Sequence, residues 1–488
     1  MKLHSLYIEK YKLLSDFTIN FSKDISILIG INGSGKSTIL EVIAQIFSNA
    51  ALGKKSDFKF ELNYTLQHNE NSKTEVRLYS NKNEHISLDV HYQEYGGVRG
   101  EKMSNILLNT KLKNLLKYFP SDIVIYYSGL SDTMKTICVP HNKELSKQSR
   151  EGNVNFKRLF FYFEPALFDI ILISLLSYEY GEIPEFLLEK AKIKSLQSIQ
   201  IKLKKPSWAK QKIDKWWGAI GEVKTFLDFL NSKTNNIILI DSLIDKKHER
   251  KGNIVIEAIN DEYLIITIIG QEKLFEIREH YADEKSLFKI LNTLYIDELW
   301  DNCSFSFIKE EDGKPISFSV LSEGEQQAIT IKGLTELVAS DNTLFLFDEP
   351  DTYLHPSWQK EFISNISQNI ENSTFIIATH SPNLVSDIHK ENLFIMQEGK
   401  LKTIPFESYG KPVDDVLIDF FGLDGVRNLK VEGLINKIRN MIVSNQFETD
   451  DFKNEFENLK KELGTNDKEI MAMTFEIAKR KKSNEKNK

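Results

Sequence analysis

GINGSGKST, residues 30–38, decides the fold. It fits G-x-x-x-x-G-K-[ST], a loop whose glycines let the backbone turn tightly enough for its N–H groups to surround phosphates. In that reading Lys36 reaches the β/γ-phosphates and the Ser37 hydroxyl ligates Mg²⁺. Asn32, Gly33, Ser34, Gly35, Lys36, Ser37 and Thr38 form the candidate nucleotide-binding set. The flanks agree. DISILIG (24–30) has the apolar run of a buried strand, and TILEVIAQIF (38–47) has the spacing of a helix whose N-terminus faces the loop. The stretch predicts a site for a nucleoside triphosphate and Mg²⁺.

The chain has 488 residues, enough for two or three lobes. Hydrophobic residues make up 41% and charged residues 27%, the balance of a soluble globular protein. A net charge of −7 supplies no global field for nucleic acid, so any such contact must come from a local patch. Cys138 and Cys303 lie far apart and outside any metal-ligand spacing, which points to a reducing compartment and buried apolar roles. The N-terminus lacks an apolar signal core, and runs such as FDIILISLL (168–176) are too short to span a bilayer. A cytoplasmic location without a membrane partner is expected.

Residues 3–22 alternate like two strands joined by a turn, and FKFELNYTLQ, TEVRLYS and ISLDVHYQ read as an antiparallel sheet beside the nucleotide core. Helical spacing over 105–119 precedes a buried strand over 122–129. From 143 to 302 helical patterns dominate (158–180, 184–194, 208–231), with one strand-rich patch at 252–269. This is a candidate inserted domain. The core is expected to resume near Phe305 with a helix at 323–337, the strand NTLFLFDEP, a helix at 356–370 and the strand STFIIATHS. The expected division is therefore 1–142 and 303–406 for the core, 143–302 for a mostly helical insert, and 407–488 for a helical extension ending in a frayed tail, KRKKSNEKNK.

The strand NTLFLFDEP ends in two carboxylates. Asp348 is placed to hold the Mg²⁺ water shell, and Glu349 to orient and polarise an attacking water. His380 ends the next strand, where open α/β sheets place their ligands, and its imidazole can reach the γ-phosphate or the water. A purely structural histidine fits the same spacing. In VLSEGEQQA (320–328), Ser322 and Gly324 precede a helix and can form an anion site at its positive end. Ser322 with Glu325 also reads as a simple capping box.

The ordered motifs GINGSGKS, LSEGEQQ, LFLFDEPD and the histidine of ATHS resemble the ABC-type ATPases, in the branch with SMC, RecF and OLD-like proteins. The resemblance covers roughly 1–130 and 305–405. It implies an α/β fold, an ABC-type P-loop ATPase core with an antiparallel β lobe. It also implies a homodimer in which Lys36, Ser37, Asp348, Glu349 and His380 of one chain meet Ser322 and Gly324 of the other. Glu349 would be the general base, His380 the phosphate switch, and Asp351 part of the loop crossing the interface. Gln67 and Gln93 are the two candidates for the glutamine that bridges Mg²⁺. DEPDTYLHPSWQ departs from the transporter pattern. Its LHP element resembles OLD-like and anti-phage ATPases, including those of Septu and PARIS systems and restriction-associated AAA ATPases; YYSGLSD (126–132) is also similar to a segment in them. His355 and Pro356 are expected to cap the next helix.

OLD-type proteins carry a metal-binding nuclease domain after the ATPase. LKVEGLIN (429–436) imitates its start, but fewer than 60 residues follow Glu432, and Asp450 and Asp451 lie between helical segments. A nuclease or toxin effector is therefore expected on a separate chain. The local candidate for DNA is IKLKKPSWAKQKIDKWWGA (201–219), in which Lys202, Lys204, Lys205, Lys210, Lys212 and Lys215 interleave with Trp208, Trp216 and Trp217. The same pattern fits a helix with a solvated lysine face and core tryptophans. Two functions follow: the ATPase and sensor subunit of an anti-phage system, whose insert or tail could build oligomers larger than the dimer, or a RecF/SMC-like ATP-gated DNA-binding protein.

Overall fold

The computed structural model describes residues 1–69, 72–94, 102–109, 115–129, 132–151, 158–209, 215–234, 237–240, 254–259, 261–309, 315–317, 321–367, 372–423 and 425–486. Two compact units emerge, Met1–Lys411 and Pro412–Lys488.

The first unit is organised on a seven-stranded sheet. From one edge to the other its strands are Lys400–Lys402, Leu393–Gln397, Ile25–Ile29, Thr374–Ala378, Leu344–Asp348, Ile123–Tyr127 and Phe160–Tyr162. All but Lys400–Lys402 run parallel. Parallel strands are covered on both faces, which explains why LFLFD and TFIIA are buried at every position instead of alternating. Helix Lys36–Leu52 packs on this sheet and shares one core with the antiparallel lobe, whose Leu6, Phe60, Leu62 and Leu78 join Phe47, Leu346 and Ile376. That lobe is the expected meander, in the order Leu14–Asn20, Lys2–Tyr11, Phe60–Asn69, Ser72–Ser80, Ile86–Glu94 and Lys102–Leu108.

Several expected helices differ. Residues 102–108 extend the lobe as a strand beside Ile86–Glu94, and only a short 3₁₀ turn, Leu116–Tyr118, follows; residues 110–114 lie outside the described ones. Pairing with a neighbouring strand here outweighs the intrinsic helical pattern. The segment from Arg158 opens with the edge strand Phe160–Tyr162, and its helix begins only after Pro165, at Phe168–Leu176. The helix expected over 356–370 breaks at Glu361 into Pro356–Lys360 and Phe362–Ser367, and 368–370 lie outside the described residues.

The insert's helices are shorter than expected, the one over 208–231 starting only at Gly221, and they accompany a six-stranded sheet. Its long strand Ile193–Lys204 lies between Tyr263–Ile269 and Trp300–Lys309. Phe305, taken as the return of the nucleotide core, therefore belongs to the insert's sheet. The insert is also not a separate body: helix Phe168–Leu176 packs on Glu323–Gly333, where a Cβ on Gly333 would overlap the Ile171 side chain. Trp216 and Trp217 lie in the 3₁₀ turn Lys215–Gly218 and are 4% and 6% exposed. Their indoles donate to the Asp228 carboxylate and the Asp261 carbonyl, both at 2.8 Å, and Trp208 donates to the Asp297 carbonyl at 2.8 Å. Lys202 pairs with Asp301 at 3.0 Å and Lys205 faces Glu262 at 4.0 Å. Lys210 and Lys212 lie outside the described residues. The tryptophans thus serve the insert's own packing, but the expected helix does not carry them: Trp216 and Trp217 are left-handed, at φ +64° and +56°.

The second unit is helical, with Val413–Asp419, Leu429–Val443, Asp450–Leu463 and Lys468–Lys486. Ile435, Ile438, Phe452, Phe456, Leu459 and Ile470 form its core. Asp450 and Asp451 open a helix capped by Thr449, and Glu432 sits on a helix rather than a strand end. The tail read as frayed is helical to Lys486. Among the described residues no helix is long and apolar enough to cross a membrane.

Phe345 is fully buried and stacks on Phe375 with centroids 4.3 Å apart and planes 3° from parallel. Truncation to alanine leaves a cavity between the two central strands, so Phe345→Ala is expected to destabilise the first unit by about 3–5 kcal/mol. A thermal melt compared with the parent chain checks this.

Candidate functional site

Strand Ile25–Ile29 delivers the chain to the sheet's carboxyl edge, where it must reverse into helix Lys36–Leu52. Gly30 makes the reversal at φ +146°, and a Cβ there would collide with the Met396 carbonyl. Gly35, at φ +107°, is the left-handed cap of the helix. The first-turn N–H groups point into the loop, with the positive end of the helix behind them. Asn32, Gly33 and Ser37 are exposed, and Ser34 and Gly35 are buried. The Ser34 hydroxyl is buried with no hydrogen-bond partner among the described residues, as a cradle for anionic oxygens requires.

Lys36 is 5% exposed. Its ammonium donates to the Gly30 carbonyl at 3.0 Å and to His380 Nε2 at 2.7 Å. Burial pushes the Lys36 pKa down, while Asp348 and Glu349 oppose the shift. Burial, then Lys36, also holds the His380 pKa below its ordinary value, so at neutral pH Nε2 is an acceptor. The same nitrogen lies 3.5 Å from Glu349 Oε1. Strand Leu344–Asp348 brings Asp348 to the crevice, where it is 4% exposed and hydrogen-bonded to the Ser37 side chain. Burial raises its pKa to about 6. A desolvated carboxylate paired with a hydroxyl is a hard-oxygen donor set that suits Mg²⁺, which takes one or two protein ligands and keeps the rest for water and phosphate.

Glu349 follows at φ +50°, and this left-handed turn directs its side chain back toward His380 instead of along the strand. The structure therefore gathers Lys36, Ser37, Asp348, Glu349 and His380 into one crevice. Ser322 and Gly324 stand apart from it. Ser322 caps helix Glu323–Gly333 through the expected box with Glu325. Gly324 abuts the Tyr353 carbonyl, 2.7 Å from where a Cβ would lie.

Other expected residues fall elsewhere. The Gln67 backbone is bonded to Asn342, before the start of the Asp348 strand and so at its far end, and the Gln93 amide meets His91 on the antiparallel lobe. Neither glutamine reaches the crevice. The position beside Asp348 belongs to Tyr127 and Ser128, which close strand Ile123–Tyr127; the Ser128 N–H donates to the Asp348 carbonyl at 3.3 Å. Sheet order, not the local sequence of YYSG, sets this neighbourhood. Asp351 is buried and turned inward, accepting from the Thr379 hydroxyl at 2.8 Å; Thr352 and Tyr353 are the exposed residues of its loop. His355 caps the next helix, accepting from Ser357 N–H at 3.3 Å.

Burial raises the Asp351 pKa from 3.8 to about 6. Between those values the folded chain holds more protons than the unfolded one, so this group lowers stability as pH rises through the window. Asp351→Asn keeps an oxygen for Thr379 and removes the charge. It is expected to melt above the parent at pH 7.5, by the equivalent of roughly 2 kcal/mol, with the gap closing toward pH 4. Paired melts across that range test it.

The AAA ATPase domain family matches residues 1–385. Retron Vc95 probable ATPase of Vibrio cholerae serotype O1 biovar El Tor is 24% identical over 454 residues, covering 86% of this chain and 78% of that protein. Retron Ec83 probable ATPase of Escherichia coli is 22% identical over 520 residues, covering 98% and 87%. Septu protein PtuA of Bacillus thuringiensis is 30% identical over 93 residues, 17% of this chain and 24% of that protein. With the phosphate loop, both carboxylates and His380 in one crevice and the family match spanning both halves of the core, the chain belongs to the AAA ATPase domain family.

Proposed function

We propose that this chain is the ATP-hydrolysing sensor subunit of an anti-phage defence system and controls a separate effector. The convergence of Lys36, Ser37, Asp348, Glu349 and His380 in one crevice carries the ATPase part of this reading. The similarity to retron and Septu ATPases along most or part of the chain supports the defence part.

In the proposed mechanism the loop N–H groups and Lys36 hold the phosphates, and Asn32, Gly33, Ser34, Gly35 and Thr38 complete the cradle. Ser37 and Asp348 would hold Mg²⁺, which when bound supplies positive charge to the phosphate oxygens. Glu349 accepts a proton from the attacking water. His380, held neutral beside Lys36, accepts a hydrogen bond from Lys36 at Nε2, which leaves its ring proton on Nδ1 to donate. Ser322 and Gly324 of a second copy would close the site over the γ-phosphate, which makes turnover slow until two chains meet. An effector held by the insert or the helical extension would then be released or retained according to nucleotide state.

Glu349→Gln is expected to retain ATP binding and lose hydrolysis by roughly 10²–10⁴-fold. Unchanged hydrolysis in that variant would remove Glu349 from the role of base. Lys36→Ala is expected to lose nucleotide binding itself, read by a fluorescent ATP analogue. The defence reading is tested by purifying tagged chain from its native operon and weighing what comes with it. A stoichiometric protein released by ATP or phage lysate is the expected result; a lone dimer carrying DNA would replace the sensor reading with a DNA-maintenance role.

A further inference from the structure

Gln327 lies on the second turn of helix Glu323–Gly333 and is 4% exposed. A side-chain amide brings one acceptor and two donor hydrogens, and burying them without partners is unfavourable. Every one of its described side-chain partners comes from another segment. Oε1 accepts from the Tyr353 N–H at 2.8 Å. Nε2 donates to the Tyr126 hydroxyl at 3.2 Å and faces the Glu349 carbonyl at 3.5 Å.

The Glu349 carbonyl belongs to the residue that turns left-handed, a conformation that side chains with a Cβ adopt only when their surroundings hold it. That carbonyl also accepts from the Thr352 hydroxyl at 3.0 Å. Farther along the loop a second buried network takes over. Asp351 accepts from the Thr379 hydroxyl at 2.8 Å, and Gln359 Nε2 donates to the Asp351 carbonyl at 3.0 Å. Ser381 donates its hydroxyl to Gln359 Oε1 at 3.0 Å and its N–H to the Thr379 hydroxyl at 2.9 Å. Thr379 and Ser381 flank His380. Loop 349–354 is thus bound on one side to the helix that begins at Ser322 and on the other to the segment that carries His380. The backbone contact of Gly324 with Tyr353 reinforces the first attachment.

We infer that Gln327 is a positioning residue that locks loop 349–354 to the Ser322 helix, so that the placement of Glu349 depends on where that helix end sits. The inference rests on the ATPase reading above and adds regulation to it. Anything that draws the Ser322 and Gly324 end outward also pulls on the Tyr353 N–H and relaxes the Glu349 turn. Packing alone would be satisfied by leucine or methionine; a buried amide with partners in two other segments specifies one arrangement of those two and its own helix.

The test uses the full chain with its native partners and measures kcat, KM for ATP with Mg²⁺, affinity for a fluorescent ATP analogue, and melting temperature. Gln327→Leu is expected to lower kcat about tenfold to hundredfold, as small misplacements of a reacting group do. Nucleotide affinity should move by less than about threefold, the split that marks loss of a transition-state interaction. Gln327→Glu keeps acceptors for Tyr353 and Tyr126 but lacks the donor to Glu349, so it should fall between; it also serves if the leucine variant does not fold. Tyr126→Phe, which leaves both loop contacts in place, should lose less than about threefold in kcat. Parental kcat in the leucine variant, or equal losses of affinity, turnover and melting temperature in both Gln327 variants, would overturn the inference. Full hydrolysis in Glu349→Gln would instead overturn the ATPase assignment on which it stands.

Discussion

The Lys36 ammonium lies 2.7 Å from the His380 imidazole and 3.0 Å from the Gly30 carbonyl, close to two carboxylates, and is itself only 5% exposed. Keeping that cation in place governs the rest of the first unit. It needs a helix starting where strand Ile25–Ile29 ends, and a backbone reversal that only glycine at Gly30 permits beside Met396. It needs the Asp348 strand two places away, with the His380 strand between them. Burial weakens the charged form of Lys36 and of Asp348 alike, so each is the natural counter-charge of the other. A phosphate chain with a divalent ion fits this pair well, because the anion meets Lys36 and the helix end while the ion meets Asp348 and Ser37.

The insert belongs to this mechanical arrangement. Its helix Phe168–Leu176 presses on Glu323–Gly333 at Gly333, where absence of a side chain lets Ile171 approach the helix backbone. The opposite end of the same helix carries Ser322, and its middle carries Gln327. A displacement of the insert's helix therefore acts on a rigid rod whose far end lies at a candidate anion site. Lys190, from another insert helix, reaches across to Glu361 at 2.9 Å, close behind the loop that holds Glu349. The insert is thus joined to the nucleotide core both at this helix and behind the Glu349 loop.

Local patterns made much of this readable in advance. A loop of fixed glycine spacing between an apolar strand and a helix is a short-range signal, and so are Asp348 and Glu349 at the end of five apolar residues. What was hidden depends on long-range pairing. Nothing near Ile193–Lys204 shows that Trp300–Lys309 will lie beside it, so local patterns give only helices and one strand-rich patch for the insert. Gln67 and Gln93 both lie near the ends of lobe strands, and only the sheet order places them away from Asp348. Gln327 was concealed for a different reason. In LSEGEQQA a capping box and a helix account for every residue locally, and only the Tyr353 and Tyr126 contacts reveal what its amide does.

The left-handed Glu349 ties these levels together. An extended residue at that position would send the carboxylate onward along the strand, away from His380. The strained turn brings Oε1 to 3.5 Å from Nε2, and it persists because Ala378, Thr352 and Gln327 bind its N–H and carbonyl. Two of those holders, Ala378 and Gln327, belong to segments that end at His380 and begin at Ser322. Strain at the proposed base is therefore maintained by the elements that would contact nucleotide on either side, and loosening either one weakens the geometry needed for proton transfer. For the ATPase proposed above, that dependence would supply a physical route to activation without any new catalytic group: the insert or a second chain would have only to seat the Ser322 helix.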